Sequence, residues 1–460
     1  MIPIIKENNN QINNQNNNSQ SIMKITSFGG FGNVTQNLFA YEYQNDILIV
    51  DCGIGFVEKN NKKNELVLPD FDYLVEHQDK IRGIVLTHGH EDHIGGLPHL
   101  LNKIKKPIPI YASRWTAAMV EDKLEEHLSS IKVKVINSDS HLVCGCFTVD
   151  FIHVTHSVPD ACHLLITTPN GLVYHGSDFK FDWTPVSGRQ SEVDKIALLS
   201  RRGVSLLLSD CLRSEKSGYT LSEAMIEESF EREIHNCRGK FFVTTMSSNV
   251  SRWQQALNVI AEHRRKVIFL GRSVEKVIKI AIKLDYLHVP KGIEIPISKA
   301  RYYQPHQLAF LITGSQAQAG SALERTVLGR NPQVKIRPED KVVFSADYIP
   351  GSELAIHNLI DRLSYLGADV SYSDISDDLH VSGHGAQADQ ALLISLVKPQ
   401  YLLPIGGAFR QMKQYALQAQ KMGYQENQIL LPERAQTIEM LANGQVRLGQ
   451  KINLRSDRTM

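Results

Sequence analysis

The sequence predicts an α/β protein in which a strand-rich half is followed by a parallel α/β half. Up to Asp210, short runs of β-branched and aromatic residues are separated by Gly and Asn, which is typical of strands joined by turns. After Asp210, helical patterns alternate with short apolar runs, which favours a parallel sheet covered by helices. The 460 residues exceed one ordinary core, so two or three domains are expected.

The predicted elements follow this division. Strands of the first half are predicted at 38–43, 46–50, 81–86, 147–154, 163–167, 172–174 and 204–208. Strands of the second half are predicted at 241–245, 267–270, 309–313 and 342–345. A strand at 369–372, a helix at 387–397, a strand at 401–404 and a helix at 411–422 complete the predicted order.

The first 22 residues are predicted to be a disordered tail. Residues 7–22 are rich in Asn and Gln, and such a segment has too little apolar surface to order itself. Folded sequence is therefore expected to begin at Met23.

The composition is that of a soluble globular protein, with 42% hydrophobic and 22% charged residues. The formal net charge of +1 argues against a dedicated nucleic-acid coat protein, so any nucleic acid would bind in a local channel. The six cysteines form no CxxC pair, and no signal-peptide core follows Met1. No apolar run reaches about 18 residues, the length that spans a membrane. We therefore expect a cytoplasmic, reduced protein without a membrane segment.

Metal-ligating side chains are concentrated directly after the strand predicted at 81–86. His88, His90, Asp92 and His93 lie within six consecutive positions. Side chains that leave the end of a strand can converge on one point, and imidazole with carboxylate suits zinc, manganese or iron. The alternative is a solvated polar loop, which this spacing of imidazoles and carboxylate does not favour.

Two further residues extend this cluster into a candidate dinuclear site. His156 ends the strand that begins at 147, and Asp178 follows the strand predicted at 172–174. An aspartate just past a strand can bridge two ions through its two oxygens. Each residue alone could be a capping or surface residue, but together with the cluster both are candidate ligands.

Several long segments resemble the metallo-β-lactamase family, and specifically ribonuclease J of its β-CASP branch. In chain order they are LIVDCGIGF, THGHEDHIGGLPHLL, THSVPDACHLLITTPNG, GSDFKFDWTPV and LLLSDC, followed by TTMSSNVSRWQQ, FLGRS, ITGSQ, DYIPGSE and HVSGHG. The resemblance covers about 23–450. It implies a metallo-β-lactamase αββα sandwich at 23–212 and 362–450, with a parallel α/β β-CASP domain inserted at 213–361 and a C-terminal tail at 451–460.

The resemblance also implies two metal sites that share one carboxylate. The implied ligands are His88, His90, His156 and Asp178 for the first ion, and Asp92, His93 and Asp178 for the second. Asp51 would orient the ligands. Asp210 matches an acidic position beside the metals, and His384 matches a residue that contacts the scissile phosphate or protonates the leaving oxygen. Asp92, Asp178, Asp210 and His384 are the implied catalytic residues.

A pocket for the terminal phosphate of RNA is implied by the later segments. Its implied residues are Ser247, Ser248, Asn249, His380, Ser382, Gly383 and His384, with a backbone turn at 314–316. A pocket sized for one phosphate implies a preference for 5′-monophosphorylated single strands.

The sequence departs from the family pattern at two places. The family has a metal-ligating histidine in the segment after HVSGH, where this chain has Gly406, and a glutamate where it has Ala408. We therefore expect one tightly bound Zn²⁺ and a weakened second site, with Mn²⁺ or Mg²⁺ as alternatives. The family's C-terminal dimerisation domain is not seen before Met460. The protein partner is therefore expected to be either a second copy of this chain or a related subunit.

The function expected from these features is metal-dependent hydrolysis of RNA phosphodiesters, with endonuclease and 5′-to-3′ exonuclease action. A catalytically weak paralogue that binds RNA or an active subunit is one alternative, motivated by Gly406. The retained ligands argue against it. A β-CASP DNA nuclease is the other alternative.

Overall fold

The computed structural model describes residues 21–59, 62–125, 131–349, 351–454 and 458–459. The predicted tail at 1–22 lies outside these ranges except for residues 21 and 22, and most of 455–460 lies outside them too. Within the described residues, no helix is long and apolar enough to cross a membrane.

Two sheets form the first domain. In the described ranges one sheet has eight strands, in the spatial order Val446–Lys451, Gln436–Met440, Met23–Gly29, Leu38–Tyr43, Asp46–Val50, Ile81–Val85, Ile110–Ser113 and Val133–Ile136. The other has six, in the order His141–Cys144, Phe147–His153, Cys162–Thr168, Gly171–Gly176, Val204–Asp210 and Tyr401–Ile405. Smaller pairings join Phe31–Gly32 to Gly407–Ala408, and Gly55–Lys59 to Lys62–Leu68 to Arg458–Thr459.

Alternating side chains place the two sheets face to face. In the strand Asp46–Val50, Leu48 and Val50 pack between the sheets, whereas Ile47 and Ile49 pack against the helices outside. This period of two follows from the pleat of a strand and produces the four layers of an αββα sandwich. The predicted strands of this half agree with the observed ones to within one or two residues at their ends.

The inserted domain is a parallel sheet between two helical layers. Its strands are arranged in the order Lys266–Leu270, Leu308–Ile312, Phe241–Thr244, Lys341–Phe344 and Asp369–Ser371, and every neighbouring pair is parallel. The last strand lies beyond residue 361, the predicted end of the insertion, so that boundary falls too early. This edge strand has only three residues. Three residues are too few to show a hydrophobic periodicity, so the sequence did not indicate to which sheet the strand belongs.

Helices cover the outer faces of all three sheets. The described α-helices are Asp72–Glu76, Glu91–Ile94, Leu97–Lys103, Arg114–Leu124, Val193–Ser200, Ile226–His235, Val250–Glu262, Arg272–Lys283, Ala322–Val327, Glu353–Tyr365, Gln387–Val397 and Phe409–Lys421. Short 3₁₀ helices occur at Gln78–Lys80, Glu223–Met225, Ile297–Tyr302, Pro305–Gln307, Asp377–Leu379 and Glu426–Gln428.

The chain leaves and re-enters the six-stranded sheet at neighbouring strands. Val204–Asp210 precedes the insertion, Tyr401–Ile405 follows it, and the two strands pair in parallel with Asp210 opposite Ile405. Because parallel strands end at the same edge of a sheet, Asp210 and Gly406 are brought together although the whole inserted domain separates them.

Candidate active site

Strand ends from both sheets converge on one point. Asp51 and His88 follow the parallel neighbours Asp46–Val50 and Ile81–Val85 of the eight-stranded sheet. Asp178 follows Gly171–Gly176 in the six-stranded sheet. The candidate residues therefore lie where the carboxyl ends of parallel strands from the two sheets meet.

Four side chains form the largest of three candidate metal groups in the described part of the chain. His88, His90, His156 and Asp178 each present a ligand atom, and these atoms all lie within 4.8 Å of one another. His88 Nε2 and His156 Nε2 lie 3.5 and 3.8 Å from Asp178 Oδ2. Three imidazoles and one carboxylate are a complete tetrahedral set for zinc.

Asp178 also belongs to the second group, which it forms with Asp92 and His93. His93 Nε2 lies 3.5 Å from Asp178 Oδ2 and 3.6 Å from Asp92 Oδ2. Asp178 is therefore common to both groups, and the second group offers one ligand fewer than the first.

Asp51 contacts the His93 ring nitrogen that faces away from Asp178. Asp51 Oδ2 lies 2.7 Å from His93 Nδ1 and accepts a hydrogen bond from the Thr87 hydroxyl at 2.8 Å, while the Thr87 backbone N–H donates to Oδ1 at 2.8 Å. Asp51 is fully buried and has a φ of 59°, a conformation that non-glycine residues rarely adopt. A carboxylate behind a ligand histidine fixes the ring orientation, the role expected for Asp51.

The protonation of these groups fits a site that holds cations. Burial lowers the pKa of His90 to about 3 and holds the pKa of His88 and His156 well below the ordinary value, so these imidazoles are neutral and ready to bind a metal. His93 differs because, against the effect of burial, Asp178, Asp92 and Asp51 hold its pKa well above the ordinary value. Bound metal ions would offset the negative charge of these three carboxylates, as a protonated His93 does. The donor set therefore fits a metal centre.

Asp210 and His384 form a third group with Asp178. Their ligand atoms lie within 4.8 Å of one another, and His384 Nδ1 lies 2.7 Å from Asp210 Oδ2. Burial alone would lower the pKa of His384, but Asp210 and Asp178 raise it to about 9. The HVSGH segment thus reaches the metal groups, as the predicted return of the chain requires.

Gly383 allows this approach. Its carbonyl oxygen lies 2.7 Å from His156 Nδ1, and a β-carbon on Gly383 would lie 2.9 Å from ring atoms of His156. Any side chain here would push the HVSGH segment away from the metal groups, so the close contact requires glycine.

The residues expected to hold a terminal phosphate come from two segments of the chain, 247–249 and 380–384. Ser382 Oγ accepts a hydrogen bond from the His384 backbone N–H at 3.2 Å, and His380 Nδ1 lies 3.4 Å from Arg252 Nη1. Ser247 lines a cavity of about 400 Å³ together with Gly314 and Ser315.

Asn249, expected to bind a phosphate, caps a helix in the structure. Its side-chain oxygen caps the helix Val250–Glu262 by accepting a hydrogen bond from the Arg252 backbone N–H at 3.0 Å. This is the ordinary use of asparagine at a helix start.

Sequence reasoning did not single out Asn37. Its side-chain nitrogen lies 3.0 Å from His93 Nε2 and 3.4 Å from Asp92 Oδ2. Asn37 lies in the irregular segment directly before the strand Leu38–Tyr43 and belongs to no recognisable motif, so no sequence signal would have found it.

A buried charge cluster beside the site was also missed. Arg252 is fully buried and donates to Glu223 Oε2 at 2.6 Å, while Lys180 Nζ lies 3.5 Å from Glu223 Oε1. Arg252 also donates to the backbone oxygens of Ser345 and Leu379 at 3.1 and 3.4 Å. The cluster joins the loop after Asp178 to the inserted domain and the segment before His380.

Comparison with known proteins agrees with this fold and site. Residues 31–189 match the metallo-beta-lactamase superfamily, and residues 238–363 match the beta-CASP domain of ribonuclease J. A crystal structure of a protein of unknown function from Enterococcus faecalis V583 has the same overall fold, with a TM-score of 0.62 and 14% identity over 91% of this chain and 100% of that one. The fold and the site thus define a metallo-β-lactamase hydrolase with a β-CASP insertion.

Curated relatives narrow the class further. Ribonuclease J 1 of Streptococcus pyogenes is 36% identical over 421 residues, which are 91% of this chain and 74% of the relative. Ribonuclease J of Thermus thermophilus is 37% identical over 90% of this chain and 73% of its own length. Ribonuclease J2 of Bacillus subtilis is 32% identical over 94% and 77%. The chain belongs to the ribonuclease J family of metal-dependent nucleases, which confirms the predicted resemblance and fold class.

Proposed function

We propose that this protein is a cytoplasmic ribonuclease that hydrolyses RNA phosphodiesters, both within strands and from the 5′ end. The observation that carries the proposal is Asp178, whose Oδ2 faces His88, His93, His156 and His384 at 3.5 to 3.8 Å. One carboxylate shared in this way is suited to a pair of metal ions. The names of the relatives supply the substrate class, RNA.

In this proposal His88, His90, His156 and Asp178 hold the first ion, and Asp92, His93 and Asp178 hold the second. Zinc suits the imidazole-rich first group, with Mn²⁺ or Mg²⁺ as alternatives for the second. When bound, such ions supply an activated water nucleophile near neutral pH and neutralise charge on the phosphoryl transition state.

The protein groups around the ions place the substrate. His384, whose Nδ1 lies 2.7 Å from Asp210 Oδ2, faces Asp178, and in this proposal it contacts the scissile phosphate. Asp51 keeps the His93 ring in place. His380, Ser382, Gly383 and the residues 247–249 contribute to a pocket for a terminal phosphate.

Matched strands test the substrate class. A 5′-monophosphorylated RNA and a DNA of the same sequence are incubated with the protein, with His88→Ala as the control for a contaminating nuclease. The proposal predicts cleavage of RNA by the wild-type protein and none by His88→Ala. Preferential cleavage of DNA would indicate a DNA nuclease, and cleavage of neither strand would indicate a binding subunit.

We predict that Ser382→Ala reduces the preference for 5′-monophosphate over 5′-triphosphate ends by at least about tenfold. A hydrogen bond to a charged group contributes about 1.5–3 kcal/mol. A triphosphate end does not fit a pocket sized for one phosphate, so it should lose less binding free energy when the Ser382 hydroxyl is removed. Exonuclease rates on the two RNAs measure the preference. Ser395→Ala, which removes an exposed helix serine, is the control. Equal loss on both ends, or on internal cleavage, would contradict the pocket assignment.

We predict that one ion per chain is retained on dialysis and that the second exchanges readily, because Gly406 offers no ligand beside Asp178. Gly406→His should then tighten the second ion by about 10–100-fold. Position 406 has a φ of 65°, which histidine adopts more readily than most residues. Metal analysis after dialysis measures the effect. Gly406→Ala is the control for backbone strain, and equal behaviour of the two variants would contradict the prediction.

A further inference from the structure

Three large apolar side chains are exposed in loops that begin at the candidate active site. Trp183, Tyr219 and Leu221 are 51%, 57% and 58% exposed. Trp183 lies in the loop after Asp178, and the other two lie in the loop after Asp210. The strands before these loops are parallel neighbours in the six-stranded sheet, so both loops begin at the edge that carries the metal groups.

Hydrogen bonds hold the two loops side by side. Thr184 Oγ1 lies 2.9 Å from Ser222 Oγ, and Asp182 Oδ2 accepts a hydrogen bond from the Glu223 backbone N–H at 2.9 Å. Trp183 lies between the two bonded residues of its loop, so the three exposed side chains belong to one surface, which we call the apolar surface. A group of large apolar side chains exposed together is typical of a binding surface.

The ring of Trp183 is already held in place. It stacks on the buried ring of Phe181, with the ring centroids 6.2 Å apart and the planes inclined by 18°. Half of the Trp183 side chain stays exposed, so a second flat ring can stack on it. An aromatic side chain that is ordered before binding loses little entropy when a ligand binds. This geometry suits a nucleobase, which has two flat faces.

The apolar surface is joined directly to the catalytic segment. Thr220 lies between Tyr219 and Leu221, and its hydroxyl donates a hydrogen bond to the His384 backbone oxygen at 2.7 Å. The proposed pocket for the terminal phosphate uses residues 380–382, which precede His384. A strand with its 5′ phosphate in that pocket and its scissile phosphate at His384 would therefore have its following nucleotides beside the apolar surface.

Basic side chains accompany the apolar surface. Arg213 and Lys216 belong to the same loop as Tyr219, and within the described ranges neither side chain takes part in an ion pair. The Arg213 backbone pairs with that of Ala386, directly after the HVSGHG segment. Cations without a protein partner beside exposed aromatic rings are the combination that binds single-stranded nucleic acids.

We propose that the apolar surface binds single-stranded RNA on the 3′ side of the scissile phosphate, with bases stacked on Trp183 and Tyr219 and phosphates beside Arg213 and Lys216. The inference rests on RNA as the proposed substrate. An aromatic ring stacks on any base, so the surface binds RNA without sequence preference. Bases within a duplex are already stacked and paired, so the surface favours unpaired strands.

Steady-state cleavage of a 5′-monophosphorylated, unstructured RNA by the metal-loaded full chain tests the assignment. Loss of one base stack weakens binding by about 5–150-fold, so Trp183→Ala should raise KM by at least about fivefold and leave kcat within about twofold. Trp183→Phe keeps a ring and should stay near the wild-type KM. Tyr365→Ala, which removes an 89% exposed ring at the end of a helix in the inserted domain, should change neither constant.

Tryptophan fluorescence tests the contact without cleavage. The chain has three tryptophans, of which Trp115 and Trp253 are fully buried and Trp183 is half exposed. In the variant Asp178→Asn, which should leave the strand uncut, the same RNA should quench the fluorescence. Adding Trp183→Phe to this variant should abolish the quenching, because the two buried tryptophans do not contact the strand.

An unchanged KM for Trp183→Ala would contradict the proposal, and so would quenching that persists after Trp183→Phe. A fall in kcat at unchanged KM would also overturn it, since Trp183 would then act on the shape of the active site. The proposed function can fail separately. If RNA quenches Trp183 but the wild-type protein does not cleave it, the proposed function is wrong and this inference stands, whereas cleavage without quenching contradicts this inference alone.

Discussion

Asp178→Asn is expected to lower the rate of RNA cleavage by at least about 10³-fold, the largest catalytic loss that any one substitution in this site should cause. Asp178 is the member that all three candidate metal groups share. Its replacement removes a negative charge from both ions, and stabilisation by such ions amounts to several kcal/mol in the transition state. Single-turnover cleavage of a 5′-monophosphorylated RNA measures the effect.

Asp150→Asn is the matched control for Asp178→Asn. Asp150 pairs with His141 and Arg202 at the edge of the six-stranded sheet, away from the metal groups. Its substitution should leave the cleavage rate within about twofold, because ion pairs of exposed partners contribute at most about 1 kcal/mol, and then to stability. A wild-type rate for Asp178→Asn would contradict the shared-carboxylate site.

Arg252→Ala is expected to lower the free energy of unfolding by about 3–5 kcal/mol. The guanidinium of Arg252 is fully buried. After its removal, the buried carboxylate of Glu223 keeps Lys180 as its charged partner but loses the closer one. Breaking a buried ion pair on one side is costly because the remaining charge keeps its desolvation penalty. Chemical denaturation at neutral pH measures the change.

The pH dependence of the Arg252 effect has a definite sign. Burial would raise the pKa of Glu223, but Arg252 and Lys180 hold it below its ordinary value. A lowered carboxyl pKa stabilises the folded state above the unfolded-state pKa, and this contribution is lost as the pH falls through the folded-state pKa. The difference between wild type and Arg252→Ala should therefore shrink in acid.

Arg410→Ala provides the comparison for Arg252→Ala. The Arg410 side chain is 67% exposed and pairs with Glu215 at 3.2 Å. An exposed pair of this kind contributes at most about 1 kcal/mol. If Arg252→Ala were no more destabilising than Arg410→Ala, the buried cluster would not hold the domains together.

Local sequence signals predicted the parts of the site that lie at strand ends. His88 directly follows one apolar strand and Asp178 follows another, and these positions made both candidate ligands. That the two strands belong to different sheets, whose carboxyl ends meet, was not evident from either position. The strand at 46–50 was predicted with its observed bounds, and its alternating side chains pack on opposite faces in the structure.

Contacts between distant segments could not be predicted in the same way. Asp210 and His384 are 174 positions apart and meet only because the strands on either side of the insertion are neighbours. Family resemblance indicated both residues, but no spacing indicated their pairing. The Arg252 cluster was missed because burial of a charged residue depends on partners from several segments, none of them adjacent in sequence.

The measurement that tests the central claim most directly is RNA cleavage as a function of bound metal. The full chain is freed of metal by chelation and then given defined amounts of Zn²⁺ or Mn²⁺, and bound ions per chain and cleavage of a 5′-monophosphorylated RNA are measured in the same samples. The structure predicts no cleavage without metal, recovery as the Asp178-centred groups fill, and no recovery in Asp178→Asn. Cleavage by the metal-free protein, or full recovery in Asp178→Asn, would contradict a metal centre built on this carboxylate.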